Sequence, residues 1–400
     1  MIVCCQVEKM CIGYISRQTT CRQQGRFSYT TLCKLKRWNM RFFYLTLLLP
    51  VLISVMATAQ PDTAASIFSK RIKDPFTVMT AGFYLGDKTA TARSTVSFSP
   101  YVLINGRWGY AFHSTLRTKN NKWVIPGDIR TLYYPQYTWG LGDDTHPSQK
   151  MLVTYKYIRF YQTLLRQITP SFLAGAGYMM DHRFDIDARH DSMNLERFTN
   201  YHYGTSSGET SLSSGLSVNV VYDERMNPTG SPRSWYGSVA WRINSTMLGS
   251  KTSWQSLYID TRRYISFSRS RQNMLAFWAY YWTVLNDKTP FLDLPSIGWD
   301  PYQQHSGRGI DQNRYRGKAL TYFETEYRRD ITRDGLLGFV VFANMNSITQ
   351  PFDDGYSDPH LAYGGGLRIK LSKLCKTKLA IDYGRSKGNE GISVNLGETF

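Results

Sequence analysis

Much of the chain alternates apolar and polar residues with a period of two. At 107–113, Trp108, Tyr110 and Phe112 fall on one face, and Arg107, Gly109, Ala111 and His113 on the other. Along 257–267, Leu257, Ile259, Ile265 and Phe267 oppose Tyr258, Asp260, Arg262, Tyr264 and Ser266. Towards the end, Leu367, Ile369 and Leu371 oppose Arg368 and Lys370, and Leu379, Ile381 and Tyr383 oppose Asp382. The last repeat sets Ile392, Val394, Leu396 and Phe400 against Ser393, Asn395 and Thr399. Successive side chains leave a strand on opposite faces, so this alternation predicts half-buried β-strands. Helical spacing is scarce.

Two all-β architectures accommodate the pattern. A soluble sandwich turns its apolar face inward, whereas a membrane barrel turns it outward to lipid and keeps the other face in a polar lumen. Arg262, Glu324, Glu326, Arg368, Lys370 and Asp382 recur at mid-strand among aromatics suited to interfacial girdles, which favours the barrel. A membrane strand takes about 9–11 residues plus its turn. Residues 60–400 then make about 16 strands at roughly 20 residues each. Backbone groups in lipid must all be paired, so the sheet has to close. The expected closing strand carries Ile392, Val394, Leu396 and Phe400 and pairs with a strand near Phe76. The prediction is a transmembrane antiparallel β-barrel over 76–400 with about 16 strands.

The segment before it reads as an export signal. Lys34, Lys36, Arg37 and Arg41 precede the apolar run 42–55, and Ala57-Thr58-Ala59 offers a small-x-small cleavage site before Gln60. Residues 40–59 are therefore read as a signal peptide whose cleavage site is marked by Ala57 and Ala59, and 60–75 as a short periplasmic segment. Residues 1–39 read as a misassigned extension, with Met40 and Met1 as the alternative starts. No later apolar run is long enough for a spanning helix. Five of the six cysteines precede residue 40 and only Cys375 follows, so disulfides do not staple the mature chain.

Composition fits this picture. Aromatic residues make up 14% of the chain, yet polar residues dilute them to a mean hydropathy of −0.37. The net charge is +18, but residues 1–59 hold eight of the basic residues and one acid, leaving +11 beyond them. The basic residues are scattered without a nucleic-acid motif. They suit a lumen, loops and acidic outer-membrane lipids rather than a nucleic-acid partner.

Gly307-Arg308-Gly309-Ile310-Asp311-Gln312-Asn313-Arg314-Tyr315-Arg316-Gly317 runs into Phe323-Glu324-Thr325-Glu326-Tyr327-Arg328. Leu294-Pro295-Ser296-Ile297-Gly298 stands before it. Tyr222-Asp223-Glu224-Arg225 with Asn227-Pro228 stands earlier, and Gly364-Gly365-Gly366-Leu367-Arg368, Ile381-Asp382-Tyr383-Gly384 and Leu396-Gly397-Glu398-Thr399-Phe400 come later. In order and spacing the set resembles the BamA/TamA family, the bacterial surface-antigen barrels, over about 75–400. The resemblance implies that Arg308 and Gly309 form a latch, at the tip of a long extracellular loop folded into the lumen. It further implies help in inserting or translocating proteins at the outer membrane. Three features depart from the family. Gly307 and Ile310 flank the Arg-Gly pair instead of a hydrophobic and an aromatic residue. Asn344 stands where a Phe-x-Asp-x-Gly strand would carry an acid. The stretch 60–75 is too short for a periplasmic POTRA domain, so substrate capture would need a separate periplasmic partner protein.

An arginine drawn into a lumen needs an acid partner, because an unpaired charge away from water is costly. Glu324 and Glu326 share the face of Arg328 and are the candidate partners. The acid- and histidine-rich stretch Asp181–Asp191 has metal-type side chains without metal-site spacing and reads as a polar hairpin loop. Gly204-Thr205-Ser206-Ser207-Gly208 matches GxSxG in a Ser/Gly-rich loop, where the strand-to-helix elbow of a hydrolase is not expected. His113 reads as a lumen residue. No enzyme activity, metal or cofactor is expected. The alternative function is a passive channel or structural outer-membrane barrel without insertase activity.

Overall fold

The computed structural model describes residues 79–400 except 87–90, 103–105, 190–192, 207–209, 227–232, 269–272, 300, 302–305, 351–354, 371–377 and 397–399. The signal segment with Ala57 and Ala59, the stretch 60–75 and Phe76 lie outside the described residues. Among the described residues sixteen strands form one sheet. They are β1 (Met79–Phe83), β2 (Ser94–Val102), β3 (Trp108–Arg117), β4 (Trp123–Tyr133), β5 (Gln136–Thr138), β6 (Met151–Thr169), β7 (Phe172–Arg189) and β8 (Ser211–Asp223). There follow β9 (Arg233–Asn244), β10 (Trp254–Ser266), β11 (Asn273–Val284), β12 (Ala319–Asp330), β13 (Leu337–Ile348), β14 (His360–Lys370), β15 (Lys378–Ser386) and β16 (Asn389–Leu396). A short helix, α1 (Leu195–Thr199), lies between β7 and β8, with Asn194 capping its start.

Each strand pairs antiparallel with the next along the chain, save that β4 and β5 both pair with β6. Pro135, which has no N–H to give to the ladder, separates those two pieces. β1 and β16 each pair with one neighbour among the described residues, and no ladder joins them there.

The distribution of side chains decides between sandwich and barrel. Trp108, Val341 and Leu367 are more than half exposed, whereas Glu324 and Glu326 are fully buried and Asp181 and Arg368 nearly so. A water-soluble sheet would do the reverse. Charges line the inside and apolar side chains line the outside, as a lipid-spanning barrel requires. The antiparallel alternation puts the four longest connections, 139–150, 190–210, 285–318 and 349–359, at one end. Long loops outside and short turns on the periplasmic side are the usual asymmetry of such barrels.

β6 and β7 are 19 and 18 residues long, well beyond what the hydrocarbon layer needs. Their excess runs past the β7–β8 ladder at the long-loop end, where Lys156 pairs with Asp185 at 2.6 Å. The stretch from Asp181 expected to be a loop is thus the second half of β7 as far as Arg189. Its alternation continues the ladder with β6 from Arg159↔Asp181 to Leu152↔Arg189, and pairing outweighs the polar composition.

Candidate functional site

The connection between β11 and β12, 285–318, carries Phe291, Leu292, Leu294, Ile297, Trp299 and Ile310, an unusual set for an external loop. All are buried. A 3-10 turn at Phe291–Asp293 starts the inward path. The two arms then bond to each other, Ile297 N to Tyr315 O at 3.1 Å, Asn313 N to Ile297 O at 2.9 Å and Gly317 N to Pro295 O at 3.1 Å. The loop satisfies much of its own backbone and can sit within the lumen as a folded unit.

At its tip Arg308 meets three carboxylates. Its guanidinium bonds to Glu324 and Glu326 on β12, and to Asp382 on β15 at 3.0 Å. The Phe342 ring on β13 lies 3.6 Å below it. Asn344 Nδ2 donates to the Arg308 carbonyl at 2.9 Å. Burial alone would lower the Arg308 pKa, but the facing carboxylates hold it well above the ordinary value. Arg328 bonds to Glu326, and Arg368 to Asp382, so three arginines face three carboxylates.

Two close approaches make this possible. Gly309 adopts φ +87°, and a Cβ there would stand 2.8 Å from Arg385 N and 2.9 Å from the Gly384 carbonyl carbon. Backbone therefore lies directly on backbone at the tip, and Ser386 Oγ donates to Gly309 O at 2.8 Å. Opposite Asp382 stands Gly366, whose absent side chain leaves room for the carboxylate.

The base of the loop is fixed to the opposite wall. Asp293 accepts from Arg183 Nη1 on β7 and from Ser213 Oγ on β8, both at 2.7 Å. Arg159 on β6 donates to Pro301 O at 2.8 Å, and Trp299 packs on Tyr134 with ring centroids 4.9 Å apart. Behind them Asp181 accepts from Arg242 at 2.6 Å, Tyr161 at 2.5 Å, Arg159 at 3.3 Å and Tyr157. Arg316 is wholly buried and bonds to the carbonyls of Phe291 and Leu294 and to Asn313 Oδ1. Burial brings its pKa down to about 10.

No protein-family model matches the chain, and no curated protein matches it. Among solved structures, CdiB from Escherichia coli aligns with a TM-score of 0.51 at 11% identity, over 74% of this chain and 52% of that one. The fold is similar to that of the CdiB barrel. CdiB from Acinetobacter baumannii is similar, with a TM-score of 0.49 at 12% identity over 74% and 50% of the two chains. BamA from Haemophilus ducreyi lacking POTRA domains 1–3 gives 0.47 at 13% identity over 79% and 67%. The match spans about half the length of the CdiB chains.

Within this CdiB-like barrel the sequence candidates fall as follows. Arg308, Gly309, Glu324 and Glu326 meet at one point in the lumen. Asp382 and Asn344 complete that point and escaped sequence reasoning as partners, although the Gly364–Gly366 run opposite Asp382 signals a side chain lying across the sheet. Asp293 and Arg183 were also missed. Ile392 and Val394 lie on β16, and Leu396 ends it. Phe400 does not share the outward face of Ile392 and Val394: it is buried against Trp278 and Tyr264, with ring centroids 5.3 and 6.4 Å away, and its carbonyl accepts from Arg328 at 2.9 Å. Strand parity governs only paired residues, and beyond Leu396 the aromatic pocket sets the direction. His113 lies 3.3 Å from Asp128 at the lumen wall. Asp181 is spent on arginines and tyrosines, and no metal-type cluster occurs among the described residues. Ser206 lies outside any helix, and Ser207 and Gly208 lie outside the described residues.

Proposed function

We propose that this protein is an outer-membrane β-barrel that assists the insertion or translocation of proteins, with loop 285–318 as its resting plug. The observation that carries the reading is Arg308 at the loop tip, held by Glu324, Glu326 and Asp382 deep in the lumen. That geometry matches the role the Arg-Gly motif implies by resemblance, and a filled lumen weighs against a passive open channel. Substrate would then pass at the seam between the first and last strands, delivered by a periplasmic partner protein. Depleting the protein in its host should lower the amounts of several other outer-membrane barrels or of one exported protein. Unchanged outer-membrane and secreted proteomes, with steady conductance of the purified protein in planar bilayers, would instead establish the channel.

A further inference from the structure

Among the described residues the two lumen walls differ in charge balance. On the β12–β15 wall three arginines face three carboxylates. On the β4–β9 wall the buried arginines Arg130, Arg159, Arg183 and Arg242 face Asp128, Asp181 and the loop's Asp293. Arg316 adds a further cation close enough to Arg183 and Asp293 to interact with both, and its own acceptors are neutral. A net positive charge away from bulk water is costly unless something offsets it.

The excess surrounds a void of ≈ 30 Å³ bordered by Arg159, Asp181, Arg183, Arg242 and Asp293, three cations against two anions. Arg183 Nε, on a side chain 2% exposed, is a buried donor without an acceptor among the described residues. The volume is enough for a water-sized particle. The two carboxylates in the lining repel a divalent oxyanion more strongly than a monovalent ion.

We propose that the void binds one small monovalent anion of the halide class, chloride in ordinary media, held by Arg159, Arg183 and Arg242. The anion neutralises the wall on which the base of the plug rests. It therefore couples chloride to the docking of loop 285–318.

The test uses the full chain, purified and folded in detergent. Its thermal unfolding midpoint, read as the heat-modifiability shift on a gel, is followed while chloride replaces gluconate at constant ionic strength. The midpoint should rise with the logarithm of chloride concentration, as binding to the folded state alone requires. Ser256 is buried on β10 and borders the void. Ser256→Asp supplies a tethered anion and should remove the chloride dependence. Crystals soaked in bromide should show an anomalous peak between the three arginines, which decides the matter should Ser256→Asp not fold. Equal midpoints in both salts without a bromide peak would mean water only and overturn the proposal. Chloride dependence unchanged in Ser256→Asp, again without a peak, would place the effect elsewhere and also overturn it.

Discussion

Arg308 serves three carboxylates on two strands, a task that suits a flat guanidinium with five donors and not a point-like ammonium. Arg308→Ala leaves Glu324, Glu326 and Asp382 facing one another with two arginines among them. Removing one partner of a buried charge set costs about 3–5 kcal/mol, so urea unfolding in lipid vesicles should shift by that order. Arg308→Lys should recover only part of the loss. The two glutamates were legible in the sequence because alternation placed them on the polar face of one strand. Asp382 was legible as a lumen charge but not as a partner. Parity fixes the face of a residue, whereas its reach across the lumen depends on Gly309 resting on Gly384, a contact between segments far apart in sequence.

Loop 285–318 behaves as a strut between two walls, with Asp293 at one end and Arg308 at the other. Freeing one end leaves the other bonded, so Asp293→Ala or Arg308→Ala alone should raise planar-bilayer conductance modestly. Asp293→Ala with Arg308→Ala should raise it by more than the two single effects together, because the anchors act on one element. Additive effects would show that the ends dock independently. Strands were the most legible elements: β3, β10, β14, β15 and β16 lie where period-two alternation put them. The second half of β7 was missed because pairing with β6 overrides its polar composition. The inward turn of Phe400 was missed because no ladder directs a residue past a strand end. The loop's entry was implied by the Arg-Gly motif, and its buried Phe291, Leu294 and Trp299 were the physical signal for it.

Across the molecule the usual burial is inverted, and this has a direct test. Val341 is 54% exposed near the middle of β13, a position where water would accept a charge. In a bilayer an arginine at mid-depth costs about 2–4 kcal/mol. Val341→Arg should lower stability in vesicles by that amount, and a neutral outcome would contradict a lipid-facing surface. The plug also bears on the time course of folding. Arg107 bonds to Gln312 205 residues away, and Gln136 to Asn313 177 residues away. Contacts of such sequence separation form late and slowly. Neither wall can receive the loop before its own strands have paired, so docking has to be among the last events. A chain halted just before it would be a half-finished tube with bare charges inside, and the speed of that one step would set how long the cell must shelter it.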